Sequence, residues 1–455
     1  MTTPTERAAH VHRQLNRRLA ELWGAPTRIS GLRQLSGGAS RETWSLEAGE
    51  HRLILRCDPP QTPRPDIMAR EAAALRAALD AGVPVPRVHD HGDGSGTIST
   101  PYLLMERLDG ETIPRRLLRD PHLTDVRRRL PRQLGRILAR IHTVPLTAVP
   151  GLEETDPLGV LTDLYDQFGE PRPAVELGLR WLTRNRPSPV PGHLVHGDFR
   201  NGNLLVDKTG VRGVLDWELL HRGDPVEDLG WLCVKAWRFG SASPVGGFGP
   251  REELLDGYAE ITGQRPDPER LHWWEVYGTL RWALLCRMQA ERHLSGAEPS
   301  IEMAVLGRRV CEQEHDLLLA LGHTTTRQVA DPLDGLTDEP TPPHDRPGHL
   351  GLLTAVGDFL TSEVADTDDQ RLRFHALVAA NALRIAQREA LLADTCAKAH
   401  RRRLTALGCT DDAALAGAIR SGALDDRLGD VVTAVADTVI DKLLVANPGY
   451  LGQPG

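Results

Sequence analysis

Three polar residues in the middle of the sequence have the types and the spacing that phosphoryl transfer requires. His196, Asp198 and Asn203 stand in the run HGDFRNGN, with the spacing H-x-D-x-x-x-x-N. In a kinase catalytic loop of this spacing, the Asp accepts the proton of the attacking hydroxyl group and the Asn carbonyl oxygen binds Mg²⁺. The sequence therefore indicates a candidate catalytic loop, with Asp198 as the base and His196 as a residue that braces the loop.

A second carboxylate is predicted to return to this loop. Short apolar runs flank Asp207-Lys-Thr-Gly210, a pattern typical of a β-hairpin, and the hairpin would bring Asp216 beside Asn203. Glu218 would steer metal-bound water or bond to the loop backbone. The alternative is a plain surface turn, because Gly, Asn and Asp favour turns. The flanking strands and the returning carboxylate favour a metal site made of Asn203, Asp216 and Glu218.

The run HGDFRNGN followed by LDWE resembles the aminoglycoside phosphotransferase and choline kinase-like family. Within that family it is most similar to the branch associated with acyl-CoA dehydrogenases. The resemblance extends from about Ile29 to about Leu285 and does not cover the C-terminal quarter. It implies an α+β, bilobal protein-kinase-like fold, with a small β-rich N-lobe and a mostly helical C-lobe, and it implies ATP and Mg²⁺ as cofactors.

The glycine pair in Ser36-Gly-Gly-Ala-Ser-Arg41 lies between two strand-like runs, as a phosphate-covering loop would. A plain hairpin fits the same pattern, and the position within the family pattern favours Gly37, Gly38 and Ser40 as nucleotide-binding residues. The predicted third strand, His51–Cys57, carries Arg56 where a kinase has a lysine for the phosphates. A guanidinium keeps the charge but has a bulkier, fixed geometry.

The helix predicted after this strand, about Ile67 to Leu79, offers Glu71 as the partner of Arg56. A solvated helical charge is the alternative for Glu71. By resemblance, the residues from Met105 to Leu108 form the hinge that holds adenine, which assigns Glu106 and Leu108 to nucleotide binding. The apolar residues of this stretch fit an ordinary core equally well.

The acceptor is expected to be a small molecule. Only Trp217 to Glu227 separate Asp216 from Asp228, where a further helix is predicted to begin, and this is too short for the peptide platform of a protein kinase. Residues 153–185 and 231–285 should hold the acceptor. Their acidic groups favour a cationic aminoglycoside-like acceptor, whereas the family resemblance favours a hydroxyacyl-CoA-like one.

Composition excludes several classes of function. The net charge of −8 and the pI of about 6.1 give no reason to expect a nucleic-acid partner. The six cysteines include no C-x-x-C pair, which suits buried thiols in a reducing compartment. The N-terminus lacks an apolar signal core, and no apolar run approaches the ~20 residues of a membrane span, so we expect a cytoplasmic protein without a membrane partner.

The chain is predicted to divide into four parts. Residues 1–108 form the N-lobe, 109–325 the C-lobe, 326–348 a Pro-rich linker, and 349–455 an all-α domain with three apolar helical stripes. No catalytic constellation falls in the last part. Its default role is therefore interaction, which leaves a homodimer through this domain open.

We therefore predict an ATP- and Mg²⁺-dependent phosphotransferase that acts on a hydroxyl group of a small molecule. The alternative is a nucleotide-binding pseudokinase that acts through its C-terminal helical domain. Arg56 favours this alternative, whereas the presence together of Asp198, Asn203 and Asp216 argues against it.

Overall fold

A computed structural model describes residues 4–35, 41–59, 62–336, 343 and 345–454. It has a β-rich N-terminal lobe, a mostly helical second lobe, and a C-terminal helical region. The predicted α+β, bilobal kinase-like architecture is therefore confirmed.

The N-terminal lobe is built on one antiparallel sheet of five strands in the order β1-β2-β3-β5-β4. Its elements are α1 (Pro4–Trp23), β1 (Ile29–Leu35), β2 (Glu42–Ala48), β3 (His51–Cys57), α2 (Pro65–Asp80), β4 (Val88–Asp93) and β5 (Pro101–Glu106). On α1, Val11, Leu15 and Leu19 recur every four residues, so they share one face, and all three are buried in a cluster that includes Trp44. The apolar spacing in residues 6–23 predicts this helix, and both the helix and the predicted third strand are confirmed.

Strand β4 was not predicted from the sequence. Its sequence, VHDHGD, is polar and lacks the apolar alternation that indicates a strand. Tertiary contacts hold it instead, because Asp90 accepts hydrogen bonds from Arg18 Nε at 2.7 Å and from Tyr102 Oη at 2.5 Å. These polar contacts suit a strand at the edge of the sheet.

The second lobe contains nine helices among the described residues and two small antiparallel sheets, β6 with β9 and β7 with β8. The helices are α3 (Pro114–Arg119), α4 (Thr124–His142), α5 (Pro157–Phe168), α6 (Pro173–Arg184), α7 (Val226–Cys233), α8 (Arg251–Thr262), α9 (Pro268–Leu294), α10 (Ile301–Arg308) and α11 (Val310–Ala320). The strands are β6 (His193–Val195), β7 (Leu204–Asp207), β8 (Gly210–Val214) and β9 (His221–Gly223). Helices α4 and α8 approach closely, and a Cβ added at Gly135 would clash with the carbonyl oxygen of Leu254.

The C-terminal region consists of α12 (His349–Phe359), α13 (Gln370–Leu407), α14 (Asp412–Ser421) and α15 (Leu428–Ala446). Helix α13 begins where Asp369 accepts a hydrogen bond from the amide of Arg371 at 2.9 Å, and it ends at Gly408, whose φ is +77°. The three predicted apolar stripes all fall in helical structure. Helix α14 was not predicted, because its sequence DAALAGAIRS offers few large apolar residues at helical spacing.

This region packs against the second lobe. Leu404, Val435 and Val439 lie in one buried cluster with Leu177 of α6 and Leu318 of α11. The predicted linker is also attached, since Asp331 accepts hydrogen bonds from Arg388 of α13, at 2.9 Å to one of its oxygens. The domain boundaries remain predictions, but the helical region and the second lobe share a continuous core.

No helix in the described part of the chain is long and apolar enough to span a lipid bilayer.

Candidate active site

The candidate catalytic loop, residues 196–203, connects β6 to β7. Asp228 holds this loop in place through hydrogen bonds. This buried carboxylate, on α7, accepts hydrogen bonds from the amides of His196 at 2.8 Å and Gly197 at 2.9 Å, and from His142 Nε2 at 3.1 Å. Burial alone would raise the pKa of Asp228, but the hydrogen bond and charge of His142 outweigh it and hold the pKa below its ordinary value. The contacts of Asp228 are thus those of a structural support for the loop.

His196 braces the loop from inside. Its ring is buried, its Nε2 lies 3.0 Å from the carbonyl oxygen of Leu215, and its Nδ1 accepts a hydrogen bond from the amide of Asp198 at 3.2 Å. This pattern fixes Nε2 as the donor. At Gly197, φ is +81° and an added Cβ would lie 2.4 Å from the Leu219 carbonyl oxygen, so only glycine fits there.

Three donors orient the carboxylate of Asp198. Its Oδ1 accepts from Trp231 Nε1 at 2.8 Å and from Arg200 Nε at 3.1 Å, and its Oδ2 accepts from Asn203 Nδ2 at 2.6 Å. The side chain of Asp198 is 14% exposed, so solvent and a substrate can still reach it. Trp231, on α7, was not predicted at this site. No local sequence pattern identifies Trp231 as a site residue, because a residue on an apolar helix face is predicted only to be buried in the core.

The β7–β8 hairpin returns Asp216 to the loop, as predicted. Leu204 pairs with Val214, and the amide of Leu215 donates to the carbonyl oxygen of Asn203 at 2.8 Å. Asp216 has a φ of +64°, a left-handed conformation that is uncommon for residues other than glycine and that Asp tolerates. Such strain is often found where a side chain must be aimed at a functional group.

The donor set of Asn203, Asp216 and Glu218 fits Mg²⁺, a hard cation that prefers oxygen ligands. Asn203 directs its amide nitrogen to Asp198, at 2.9 Å to the carbonyl oxygen, so its amide oxygen faces away from Asp198. Burial and then the charge of Asp216 raise the pKa of Glu218 above its ordinary value. Two carboxylates that repel each other in this way favour a cation between them.

Arg56 connects the two lobes at this point. Its Nη1 donates to Glu71 Oε1 at 2.6 Å, and its Nη2 donates to Asp216 Oδ1 at 2.9 Å. The partner expected for Arg56 on helix α2 is therefore in contact with it. Arg56 also places a positive charge on the carboxylate that is the candidate metal ligand.

A second arginine, Arg41, was missed by the sequence reasoning. It is buried, with Nη1 2.5 Å from Glu71 Oε2 and Nε 3.1 Å from Asp58 Oδ1, and its Nη2 lies 3.7 Å from Glu218. That Nη2 atom is buried and meets no hydrogen-bond acceptor among the described residues. An unsatisfied buried guanidinium nitrogen in this place fits an anionic oxygen of a ligand.

The structure describes only some of the other residues that were predicted to bind the nucleotide. Gly37, Gly38 and Ser40 lie outside the described residues. Glu106 is exposed at the end of β5. Leu108 lies against β8, since a Cβ added at Gly213 would be 2.8 Å from Leu108 Cδ1. The segment after β5 thus runs beside the hairpin that carries Asp216.

Residues 31–274 match the phosphotransferase enzyme family, and residues 366–450 match a domain of unknown function, DUF6285. Among curated proteins, the chain is 33% identical to acyl-CoA dehydrogenase family member 10 of Mus musculus over 234 residues, which are 47% of this chain and 21% of that protein. It is 28% identical to viomycin phosphotransferase of Streptomyces vinaceus over 199 residues, which are 40% of this chain and 66% of that protein. The chain thus spans about a fifth of the length of the mouse relative.

Among solved structures, the fold is similar to that of a protein from Ralstonia eutropha JMP134 that is provisionally named an aminoglycoside phosphotransferase. The TM-score is 0.55 at 20% sequence identity, and the match covers 68% of this chain and 98% of that one. The similarity places the two lobes in a known fold.

Proposed function

Because the chain belongs to the phosphotransferase enzyme family, we propose that it transfers the γ-phosphoryl group of ATP to a hydroxyl group of a small molecule. The observation that carries this proposal is the meeting of Asp198, Asn203 and Asp216 at one place. A catalytic loop fixed by buried hydrogen bonds holds the first two, and the β7–β8 hairpin supplies the third. Positioning and charge neutralisation of this kind supply most of the catalysis in phosphoryl transfer.

In the proposed reaction, the acceptor oxygen attacks the γ-phosphorus and the bond from that phosphorus to the β–γ bridging oxygen breaks. Asp198 accepts or orients the proton of the hydroxyl group, and ADP leaves with the bridging oxygen. Trp231 and Arg200 keep the Asp198 carboxylate aimed at the acceptor. Asn203 and Asp216 would hold Mg²⁺, which when bound neutralises charge on the phosphates.

A small-molecule acceptor is supported by the short connection after Asp216. Only residues 217–225 precede α7, which begins at Val226, and this stretch includes β9. The stretch is tied down, since His221 pairs with Val195 of β6. A protein kinase needs a long segment here to hold a peptide.

The test is a transfer assay with ATP, Mg²⁺ and a panel of hydroxylated small molecules that includes aminoglycosides and hydroxyacyl-CoA esters. We expect phosphorylation of at least one compound class. Efficient phosphorylation of generic protein substrates, with none of any small molecule, would overturn the proposed acceptor class. Binding of ATP with no transfer to any acceptor would support the pseudokinase alternative.

The matched variant for this assay is Asp198→Asn. It should lower kcat by about 10²–10⁴-fold, the usual contribution of a general base, while ATP affinity stays close to that of the wild type. The reason is that Asp198 contacts the acceptor side of the site. Asp125→Asn, on the exposed surface of α4, makes the same chemical change away from the loop and should leave kcat unchanged. Wild-type turnover in Asp198→Asn would remove Asp198 from the mechanism.

A further inference from the structure

A cavity of about 450 Å³ lies where the C-terminal helical region meets the second lobe, close to the catalytic loop. Its walls come from α3, from the 3₁₀ turn Lys235–Arg238, from the junction of α10 and α11, and from α13 and the residues after α15. Within the lining, both parts of the chain contribute side chains.

The cavity is one side-chain layer away from Asp198. Trp237 forms part of its wall, and the guanidinium carbon of Arg200 lies 4.8 Å from the centre of the Trp237 ring. Arg200 in turn donates to Asp198 Oδ1. The ring of Trp237 is also 5.1 Å from that of Trp231, the other donor to Asp198 Oδ1. A molecule in this cavity would thus lie within one side-chain layer of the candidate base, with Trp237 and Arg200 between them.

The charge of the lining is strongly positive. Five cationic side chains face one carboxylate, that of Glu312. Three of the cations have anionic partners: Lys235 pairs with Asp316 at 2.8 Å, Arg308 with Glu389 at 2.8 Å, and Arg309 with Glu312 at 2.8 Å.

The other two cations, Arg115 and Arg119, are exposed on α3 and have no recorded ion pair within the described residues. They are four residues apart, so they share one side of the helix. Two unpaired guanidinium groups at this spacing can bind the same phosphate or pyrophosphate group, because guanidinium matches phosphate geometry.

Two buried donors also lack partners. The indole nitrogens of Trp237 and Trp282 are buried and meet no hydrogen-bond acceptor in the part of the chain that the structure describes. Leaving a buried donor without an acceptor destabilises a folded protein. Their rings are 4.8 Å apart, so the two form a single aromatic wall.

We propose that this cavity binds a phosphate-bearing end of the acceptor, and that the C-terminal helical region forms one wall of the acceptor site. The proposal rests on the proposed phosphotransferase function and adds the class of acceptor, a hydroxyl compound that carries a phosphate or pyrophosphate group. It assigns a role to residues 366–450, since Asn381 and Tyr450 lie in that wall. Tyr450 also holds the Lys235 ammonium 4.2 Å from its ring centre.

The first experiment measures binding of inorganic pyrophosphate by calorimetry, so it does not depend on turnover. Wild-type protein should bind the anion, and the double variant Arg115→Gln/Arg119→Gln should bind it at least about tenfold more weakly. The control Arg128→Gln/Arg129→Gln removes the same charge from the exposed face of α4 and should bind as the wild type does. All four arginines are surface residues, so folding should be preserved.

A second variant tests the wall formed by the helical region. Asn381 is exposed, and Asn381→Asp places a negative charge in the lining, so it should weaken pyrophosphate binding severalfold. Gln264→Glu makes the same charge change after α8 and should have no effect. Equal affinity in wild type, the double variant and Asn381→Asp would overturn the proposal, because the anion would then bind elsewhere, for example at Arg56.

The second experiment links the cavity to transfer, with a pair of alcohols that differ only in a phosphate group, glycerol and glycerol 3-phosphate. Wild-type protein should bind the phosphorylated member more tightly, and the Arg115→Gln/Arg119→Gln variant should lose that preference. No preference in the wild type would overturn the assignment of the acceptor class. If pyrophosphate binds as expected but no acceptor is phosphorylated, the cavity stands and the proposed function fails, so the two failures are distinguishable.

Discussion

Asp216 illustrates how one residue can combine an unusual backbone conformation, an ion pair and a candidate metal site. It stands at φ +64° and its Oδ1 is bonded to Arg56. Removing its charge should abolish the strengthening of ATP binding by Mg²⁺, because a neutral amide is a weaker ligand for a hard cation. We expect Asp216→Asn to bind ATP equally well with and without Mg²⁺ in calorimetry.

The control for that measurement is Asp207→Asn, at the opposite end of the same hairpin. It should retain the metal dependence of the wild type. An Asp216→Asn protein that still binds ATP more tightly with Mg²⁺ would move the metal site to other ligands.

Substitution of Arg56 tests whether this residue helps to hold the nucleotide. Arg56→Ala should weaken ATP binding, because it removes the cation that Glu71 holds beside the proposed position of the ATP phosphates. Arg56→Lys should keep part of the affinity, since lysine supplies the charge but not two contacts in one plane. Arg52→Ala, an exposed arginine of the same strand, should bind ATP as the wild type does. Unchanged ATP affinity in Arg56→Ala would exclude a role in holding the nucleotide.

At the scale of single residues, the spacing of the motif predicted the loop and the hairpin, but it could not predict Arg41. The partners of Arg41 lie 17 and 30 residues away in the sequence, at Asp58 and Glu71. Its burial depends on how β2, β3 and α2 come together, and a lone arginine after a glycine-rich turn gives no sign of that. Trp231 was not predicted at the site for a related reason, since its hydrogen bond to Asp198 depends on the packing of α7.

At the scale of elements, an ion pair between a histidine and a glutamate connects strand β9 to helix α7. The pKa of this histidine lies within the pH range of ordinary unfolding measurements. His221 Nε2 lies 3.2 Å from Glu227 Oε2. Burial would lower the pKa of His221, but the hydrogen bond and charge of Glu227 outweigh it and raise the pKa to about 9. The folded protein therefore binds this proton more tightly than the unfolded chain, whose His titrates near 6.5.

The sign of the pH dependence follows from that difference. The protonated pair stabilises the fold fully below about pH 6.5, and its contribution, at most about 3 kcal/mol, is lost as the pH rises through about 9. We expect the free energy of unfolding of the wild type to approach that of His221→Gln between these values, in urea titrations at a series of pH values. A difference between the two proteins that is independent of pH would contradict this assignment.

Sequence patterns predicted most of the elements, and the exceptions have physical reasons. Apolar periodicity located α1, β3 and the long C-terminal helices, because each buries one continuous face. It missed β4, which polar contacts hold at the sheet edge, and α14, whose small residues give little periodicity. Both elements owe their conformation to neighbours that are distant in sequence.

At the scale of the whole molecule, buried charges join the C-terminal region to the second lobe. Glu314 of α11 is fully buried and accepts from Arg172 at 3.1 Å and from Lys442 of α15 at 3.0 Å. Burial would raise the pKa of Glu314, but Lys442 and Arg172 outweigh it and hold the pKa below its ordinary value. Composition could not predict this contact, because each partner alone resembles a solvated helical charge.

Glu314→Ala should destabilise the protein by about 1–3 kcal/mol, because it removes the buried acceptor that Arg172 and Lys442 share, while Arg172 keeps Glu170 and Lys442 is partly exposed. The control Asp430→Ala removes an exposed carboxylate that pairs with Arg427 and should cost less than about 1 kcal/mol. Urea unfolding followed by circular dichroism measures both. If the free energy of unfolding of Glu314→Ala falls no more than that of the control, these charges contribute little to the contact between the C-terminal region and the second lobe.

The tryptophans near Asp198 also determine which parts of the protein its fluorescence reports on. All nine tryptophans lie before Leu285, and Trp231, Trp237 and Trp282 form a row with ring centres 5.1 and 4.8 Å apart. Indole emission therefore reports on the two lobes and on the cavity beside the catalytic loop, while the helices after residue 349 emit no tryptophan signal. Far-ultraviolet ellipticity includes those helices. Tryptophan fluorescence thus distinguishes the two lobes from the C-terminal helical region without any added dye.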